Sequence, residues 1–491
     1  MSSETAKEPA DGNELLLAQA LRLHSSRPSP NPPSANRETF KSPDANFGNA
    51  PTKARTIAFV GAGGKTTAIF QLARELPQPV LITTTTHLGA WQIPLADTHI
   101  VAHQISDVAE REFQGVTLIS GSIQDDRVMN IGDDILSWLH ATTQKLNITL
   151  LIEADGSHQK ALKAPNEHEP VIPEFVDTVI LMAGLSGLGK PLNAEYTHRP
   201  EVFAALSGLP LNEIITPEAL TRVLTHPNGG LKNIPPHARR IAFLNQADTP
   251  DLQAMGGKMA AALLGYFDSV IVGNLKNSSF QTFEKTAGII LAAGASTRFG
   301  QPKQLLDWRG EAFIRAVTRT ALQAGLSPVV VVTGANAEGV EAAIRDLPVL
   351  IARNKDWQSG QASSIRAGLQ ALLRPAVENT SEDIKWPAGS AIFLLADQPH
   401  MTAEVIRTLI EQHSTELYPI VAPLVMMEQR ANPVLFDRIT FPDLMKLEGD
   451  IGGRAIFSKY PVEYLPWHDD RLLLDVDKPE DYRRLIEDDT L

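Results

Sequence analysis

Short apolar runs recur along most of this chain and alternate with stretches whose apolar positions return at helical spacing. Between residues 55 and 273 the runs are TIAFVGAG, PVLITTTT, GVTLISGS, ITLLIEADG, DTVILMAGL, RIAFLNQAD and SVIVGNL. A second series follows, with AGIILAAG, SPVVVVTG, PVLIAR, SAIFLLAD and PIVAPLV, and helical stretches such as Glu311 to Ala324 and Thr402 to His413 between them. Buried β-branched runs alternating with helices predict mainly parallel α/β sheets. The polar bridge NLKNSSFQTFEKT separates the two series and predicts two α/β domains, residues 54–275 and 286–491, joined by a linker over 276–285. Ahead of them, residues 1–53 hold one Leu-rich helical patch, Leu15 to Leu23, in a Pro-, Ser- and Asn-rich stretch. So few apolar anchors cannot offset chain entropy, which predicts a disordered tail with one short helix.

Composition narrows the partners. The 491 residues carry 44 Lys plus Arg against 57 Asp plus Glu, a formal charge of -13. No broad basic surface for nucleic acid or an anionic membrane is expected, so any phosphate must be held locally. Cysteine is absent, which removes disulfides, thiolate metal sites and a cysteine nucleophile. The apolar runs are too short to cross a bilayer, and acidic residues near the start stand where a secretory signal has basic ones. A cytoplasmic protein is the expectation.

The chemistry gathers where strands end, which is where open α/β sheets hold ligands. The first run of the second series ends in LAAGASTRFGQPKQLL, residues 291–306. Small residues Ala292, Ala293 and Gly294 let the backbone approach a base and ribose, while Arg298 and Lys303 supply cations for a triphosphate. Asp397 closes the run AIFLLA, and Asp475 and Asp477 alternate in LLLDVDKP. Carboxylates from separate strands meeting at one edge suit Mg²⁺. Spacing leaves open which of Asp475 and Asp477 joins the metal and which merely caps the turn into Pro479 and Glu480. Gly360, Ser363 and Ser364, in GQASSIRAG, open a helix with amides expected to be free beside a base pocket.

The first series has its own glycine turn. TIAFV runs into Gly61, Gly63, Gly64, Lys65, Thr66 and Thr67 and then a helix, the mechanical order of a P-loop, although Phe59 stands where the full pattern needs a glycine. Glu153 and Asp155 close LLIEADGS as a carboxylate pair placed for Mg²⁺ or water. Thr83 to His87 offers hydroxyls and a single His, too little for a metal site, and Asn245 with Asp248 echoes a guanine-reading turn with Gln246 in place of lysine.

These motifs carry two resemblances. LAAGASTRFGQPKQLL, RNKDWQSGQASSIRAGL, LLADQPHM, RANPVLF, LEGDIGGRAIF and LLLDVDKPEDY follow in the order seen in MobA-like nucleotidyltransferases, and are most similar to the molybdenum cofactor cytidylyltransferases. The resemblance implies a Rossmann-like nucleotide-diphospho-sugar-transferase-type fold, Asp397 as principal metal ligand, pyrimidine recognition near Gly360, Ser363 and Ser364, and molybdopterin or its metal-loaded form as acceptor of CMP from CTP. Its GTP-using members have a double glycine at this strand end, where this chain has the Ala-Ala-Gly form at Ala292, Ala293 and Gly294, and a methyl in place of a hydrogen narrows the pocket and disfavours a purine by on the order of 1 to 3 kcal/mol. Ala431 replaces a common glycine and Gly453 a usual alanine before Arg454, departures that bear on the acceptor. A sugar or polyol phosphate acceptor, or a non-catalytic delivery role, fits the same motifs.

VGAGGKTT, EADGS, LKAPNEHEPVIP, GLGKPL and HRPE resemble the selenium-dependent hydroxylase accessory proteins, the YqeC-like family. That resemblance implies a P-loop-like module binding ATP or GTP in the service of a client molybdenum hydroxylase, with Lys160, Lys163 and His168 lining its pocket.

Overall fold

The structure, a computed structural model, describes residues 15–23, 54–156, 158–296, 299–373 and 387–488. It divides into two units, residues 1–283 and 284–491. The first is built on nine strands: Thr56–Gly61 (β1), Val80–Thr84 (β2), Thr98–Val101 (β3), Val116–Ser120 (β4), Thr149–Glu153 (β5), Thr178–Gly184 (β6), Arg239–Asn245 (β7), Ser269–Asn274 (β8) and Ser279–Glu284 (β9). Their order across the sheet is β9-β8-β7-β6-β1-β5-β2-β4-β3, and every pair from β8 to β3 is parallel.

Successive side chains of a strand point to opposite faces, so continuous apolar runs feed two core layers. Ile57 and Phe59 of β1 pack with helix Lys65–Glu75 (α2) on one face. Ala58 and Val60 pack with helix Asp133–Leu146 (α3) on the other. The Leu-rich patch becomes a four-residue helix, Leu17–Ala20 (α1), whose Leu17 and Leu21 join the α2 layer. It is pinned by polar groups as well. The Ala18 amide donates to Glu75 Oε2 at 2.7 Å, Thr282 Oγ1 donates to the Ala20 carbonyl at 3.0 Å, and Arg239 donates to the Leu21 carbonyl at 2.7 Å. This part of the expected disordered tail is therefore docked core; residues 1–14 and 24–53 lie outside the described residues.

The expected linker at 276–285 also needs correction. Its alternation of buried Phe280 and Thr282 with more exposed neighbours makes β9, a sheet-edge strand beside β8. A half-buried edge strand has too few apolar positions to stand out in the sequence.

The second unit holds Thr286–Ala292 (β10), Val329–Thr333 (β11), Leu350–Arg353 (β12), Ser390–Leu395 (β13), Ile420–Val425 (β14), Gln429–Arg430 (β15), Val434–Asp437 (β16) and Val462–Trp467 (β17). The order is β12-β11-β10-β13-β16-β14-β15, with β17 also pairing β14. The four strands from β12 to β13 are parallel, whereas β16 runs antiparallel to both β13 and β14. Helices Phe313–Gln323 (α4) and Ala403–Glu416 (α6) cover one face and Gln361–Leu373 (α5) the other. Among the described residues no helix is long and apolar enough to cross a membrane.

Candidate functional site

In the second unit, β10 and β13 are adjacent and parallel, so the loop after Ala292 and the turn carrying Asp397 emerge at one edge. Lys303 opens a short turn there and its Nζ donates to Asp397 Oδ2 at 2.8 Å and Asp477 Oδ1 at 2.9 Å. Burial alone pushes the ammonium pKa down, but the two carboxylates more than reverse this and raise it. Asp475 accepts from Gln398 Nε2 at 2.6 Å. Burial pushes its carboxyl up, and the Asp397 charge adds to the shift against the Gln398 hydrogen bond. Lysine, rather than a preformed three-carboxylate cage, thus binds the acids together; among the described residues no cluster of three His, Asp or Glu is arranged to hold a metal. Arg298 lies outside the described residues.

One residue without an assigned role in the sequence organises the loop. Buried Gln304 donates from Nε2 to the Gly294 carbonyl at 2.8 Å and the Ala292 carbonyl at 3.4 Å, and its Oε1 accepts from Ser296 Oγ at 3.3 Å. The Lys303 amide donates to the same Ser296 hydroxyl at 3.1 Å. The only sequence signal was a glutamine between two anchored positions.

Three expectations change. Ala292 and Ala293 are buried in opposite core layers, so their methyls do not narrow a base pocket. Gly294 is exposed, and a side chain there would meet nothing within 4 Å. The start of α5 is not free either. The Gln361 amide donates to Asp450 Oδ1 and the Ala362 amide to the Gly449 carbonyl, each at 3.2 Å, while the Ser363 amide turns back to the Gly360 carbonyl. Gly360 has φ +106°, and a Cβ there would lie 2.4 Å from the Gly449 carbonyl carbon, so only glycine admits this capping loop. Asn354 Nδ2 donates to the hydroxyls of Ser363 at 2.8 Å and Ser364 at 3.1 Å. Both serines are thus framework.

In the first unit, Gly64 precedes α2 and Lys65 is its first residue. Lys65 turns inward: Nζ donates to the Gly61 carbonyl at 2.6 Å and lies 3.1 Å from Asp155 Oδ1 and 3.9 Å from Glu153 Oε1. Asp155 also accepts the Gly61 amide and, at 2.8 Å, Lys163 Nζ. Lys163 reaches Glu169 at 2.7 Å, and Arg199 pairs the same carboxylate at 2.7 Å. Burial pushes Glu169 up, but Arg199 and Lys163 hold it down at about 2. Burial raises Glu153 to about 7 against the pull of Lys65.

The glycine turn is filled by its own chain. The Ala62 amide donates to the Met182 carbonyl and the Gly63 amide to the Lys160 carbonyl. Asn245 does not read a base: Nδ2 donates to the Gly63 carbonyl at 2.7 Å and Oδ1 accepts the Leu275 amide at 3.1 Å. Asp248 accepts from Asn274, and Gln246 from Ser186. Of Lys160, Lys163 and His168, only Lys163 reaches the acids; Lys160 Nζ donates to the Glu195 carbonyl and His168 is exposed.

The family model described as YqeC protein matches residues 57–201, and that described as MobA-like NTP transferase domain matches residues 288–464. Uncharacterized protein YqeC of Escherichia coli is 34% identical over 198 residues, covering 39% of this chain and 75% of that protein. Nicotine blue oxidoreductase of Paenarthrobacter nicotinovorans is 32% identical over 209 residues, 40% of this chain and 95% of that protein. A protein of Bacillus mycoides named probable molybdenum cofactor guanylyltransferase is 28% identical over 151 residues, 31% of this chain and 66% of that protein. Among solved structures, Rv0371c of Mycobacterium tuberculosis aligns at 28% identity with a TM-score of 0.35, over 41% of this chain and 98% of its own.

Proposed function

The chain belongs to the YqeC family through its first domain and to the MobA-like NTP transferase family through its second, and from that membership we propose a cytoplasmic enzyme that transfers CMP from CTP to molybdopterin or its metal-loaded form. The first domain joins it as a nucleotide-binding accessory module, and the product serves a client molybdenum hydroxylase. Neither nucleic acid nor membrane takes part.

The observation that carries this reading is Lys303 held between Asp397 and Asp477 beside the open backbone of Gly294. Asp397, Asp475 and Asp477 are hard oxygen donors of the kind Mg²⁺ takes, and they would hold it once a bound nucleotide draws Lys303 away from Asp397 and Asp477. Mg²⁺ held there would neutralise triphosphate charge. Lys303, moving from the carboxylates to the phosphates, stabilises charge growing on the α-phosphate and the leaving pyrophosphate, with Arg298 as a second cation. A terminal phosphate oxygen of the acceptor attacks the α-phosphorus, the bond from that phosphorus to the bridging oxygen breaks, and pyrophosphate leaves. In-line positioning and charge neutralisation suffice, so no nucleophilic side chain is required.

With the two methyls packed in the core, the preference for CTP rests on the resemblance of the Ala-Ala-Gly strand end alone. Pyrophosphate release with molybdopterin and Mg²⁺, measured separately with CTP and GTP, tests it. CTP should be preferred, and a preference for GTP overturns the base assignment. Reduction of nicotine blue with no pyrophosphate from either nucleotide would instead favour the chemistry for which the Paenarthrobacter relative is named.

A further inference from the structure

The first domain contains polar groups that nucleotidyl transfer does not use. Of the two carboxylates near the end of β5, Asp155 is spent, because Gly61, Lys65 and Lys163 occupy both of its oxygens. Glu153 is not. Its side chain is only 8% exposed, and Oε2 is buried without a hydrogen-bond partner. On the adjacent parallel strand β2, Thr84 sits beside Glu153 in register. Thr86, just beyond β2, also leaves a buried hydroxyl without a partner. Buried polar atoms are normally satisfied by protein or water, so an unsatisfied group of this kind marks a place that something fills.

What fills it is indicated by the helix next to it. The eleven-residue α2 starts without a side-chain cap. The amides of Gly61, Ala62 and Gly63 are consumed within the protein, whereas among the described residues those of Gly64, Lys65, Thr66 and Thr67 have no backbone or side-chain acceptor. Four uncapped amides, the positive end of the helix dipole and the Lys65 ammonium attract a phosphate. The Glu153 carboxylate stands 3.9 Å from that same ammonium, with its second oxygen unpartnered.

We propose that the first domain hydrolyses a nucleoside triphosphate, with the terminal phosphate seated on the first turn of α2 and Glu153 as the base for the attacking water. This rests on the reading of the domain as a nucleotide-binding module. The water oxygen bonds to the γ-phosphorus, the bond from that phosphorus to the β,γ-bridging oxygen breaks, and nucleoside diphosphate leaves. The water proton passes to Glu153 Oε2 and then to solvent. Lys65 exchanges Asp155 for the phosphate, and Lys163 keeps Asp155 neutralised as it does so.

The two domains are separable by product, since the transferase releases pyrophosphate and this site releases orthophosphate. The test uses the full chain with Mg²⁺ and ATP or GTP, measuring orthophosphate release and, separately, binding of an N-methylanthraniloyl nucleotide. The native chain should do both. Glu153→Gln should bind within about threefold of the native chain and lose at least 100-fold of the release, the range for a general base. Glu153→Asp, should the glutamine variant fold poorly, should keep binding and lose at least tenfold. Lys65→Ala should lose at least tenfold in binding. Binding without orthophosphate release by the native chain, or unchanged release by Glu153→Gln, overturns hydrolysis and leaves the binding module standing. No binding at all removes both.

Discussion

Gln304 offers a test in which the isosteric substitution should be the worse one. Its amide nitrogen is wedged between the carbonyls of Gly294 and Ala292, at 2.8 and 3.4 Å, in a residue 5% exposed. Gln304→Ala removes one good hydrogen bond and two weak ones, the bond from Ser296 included, and leaves the buried Ala292 carbonyl without its donor, a loss of about 1–3 kcal/mol at roughly 0.5–1.5 kcal/mol per bond. Gln304→Glu leaves no cavity, yet it sets a carboxylate oxygen against two carbonyl oxygens, so the turn must open or the acid must stay protonated. Glutamate should therefore weaken CTP binding at pH 8 at least as much as alanine, on the order of tenfold for about 1.4 kcal/mol. Below about pH 5 the protonated acid donates again, and the glutamate defect should shrink while the alanine defect persists. Calorimetric CTP titrations at the two pH values, with thermal melts alongside, decide the matter. A Gln304→Glu chain that binds CTP as the native protein does at pH 8 would refute the role given to this side chain.

Other consequences are as direct. Asn245→Asp turns a donor into an acceptor facing the Gly63 carbonyl, and should lower the first domain's stability by about 1–3 kcal/mol in a denaturant melt while weakening nucleotide-analogue binding. Glu169 is held at about 2 in the fold against an ordinary 4.5, so its contribution to stability is complete above pH 4.5 and fades as the pH falls toward 2. Acid titration of the native chain should lose stability more steeply across that window than Glu169→Gln. Asp475→Asn keeps an acceptor for Gln398 and removes repulsion from Asp397. It should raise the second unit's melting temperature by roughly 1–2 °C, small because the site is partly solvated, yet weaken Mg²⁺-dependent pyrophosphate release at least tenfold.

The strand ends were legible because continuous valine, isoleucine and leucine runs mark buried parallel strands, and the residue that closes each run lands on the ligand edge. Asp397 is placed for that reason, and Gly64 and Lys65 stand at a helix start as their order implies. Asp475 and Asp477, expected at a strand end, instead follow the short turn Asp470–Leu473, and Lys303 reaches Asp397 and Asp477 from a turn of its own. What stayed hidden depends on partners far away in the chain. Asp450 caps a helix that begins at Gln361, and Asn245 fastens a turn at Gly63. Nothing local in either stretch encodes that pairing. The direction of a small side chain is equally silent: Ala292 and Ala293 end a strand, but the pleat sends both methyls into core layers instead of toward a ligand. The short helix at Leu17–Ala20 could be read from its leucines, but its docking could not, because Glu75, Arg239 and Thr282, which pin it, lie far along the chain.

The central claim is that Lys303 leaves Asp397 and Asp477 to act on the phosphates of a bound nucleotide, and pyrophosphate release under saturating CTP, Mg²⁺ and molybdopterin measures it most directly. Lys303→Met, folded as judged by its melting curve, should release pyrophosphate about 10²–10³-fold more slowly than the native chain, the loss typical of one preorganised group facing developing charge. A rate within threefold of native would show that this lysine only neutralises its two carboxylates and would contradict the account.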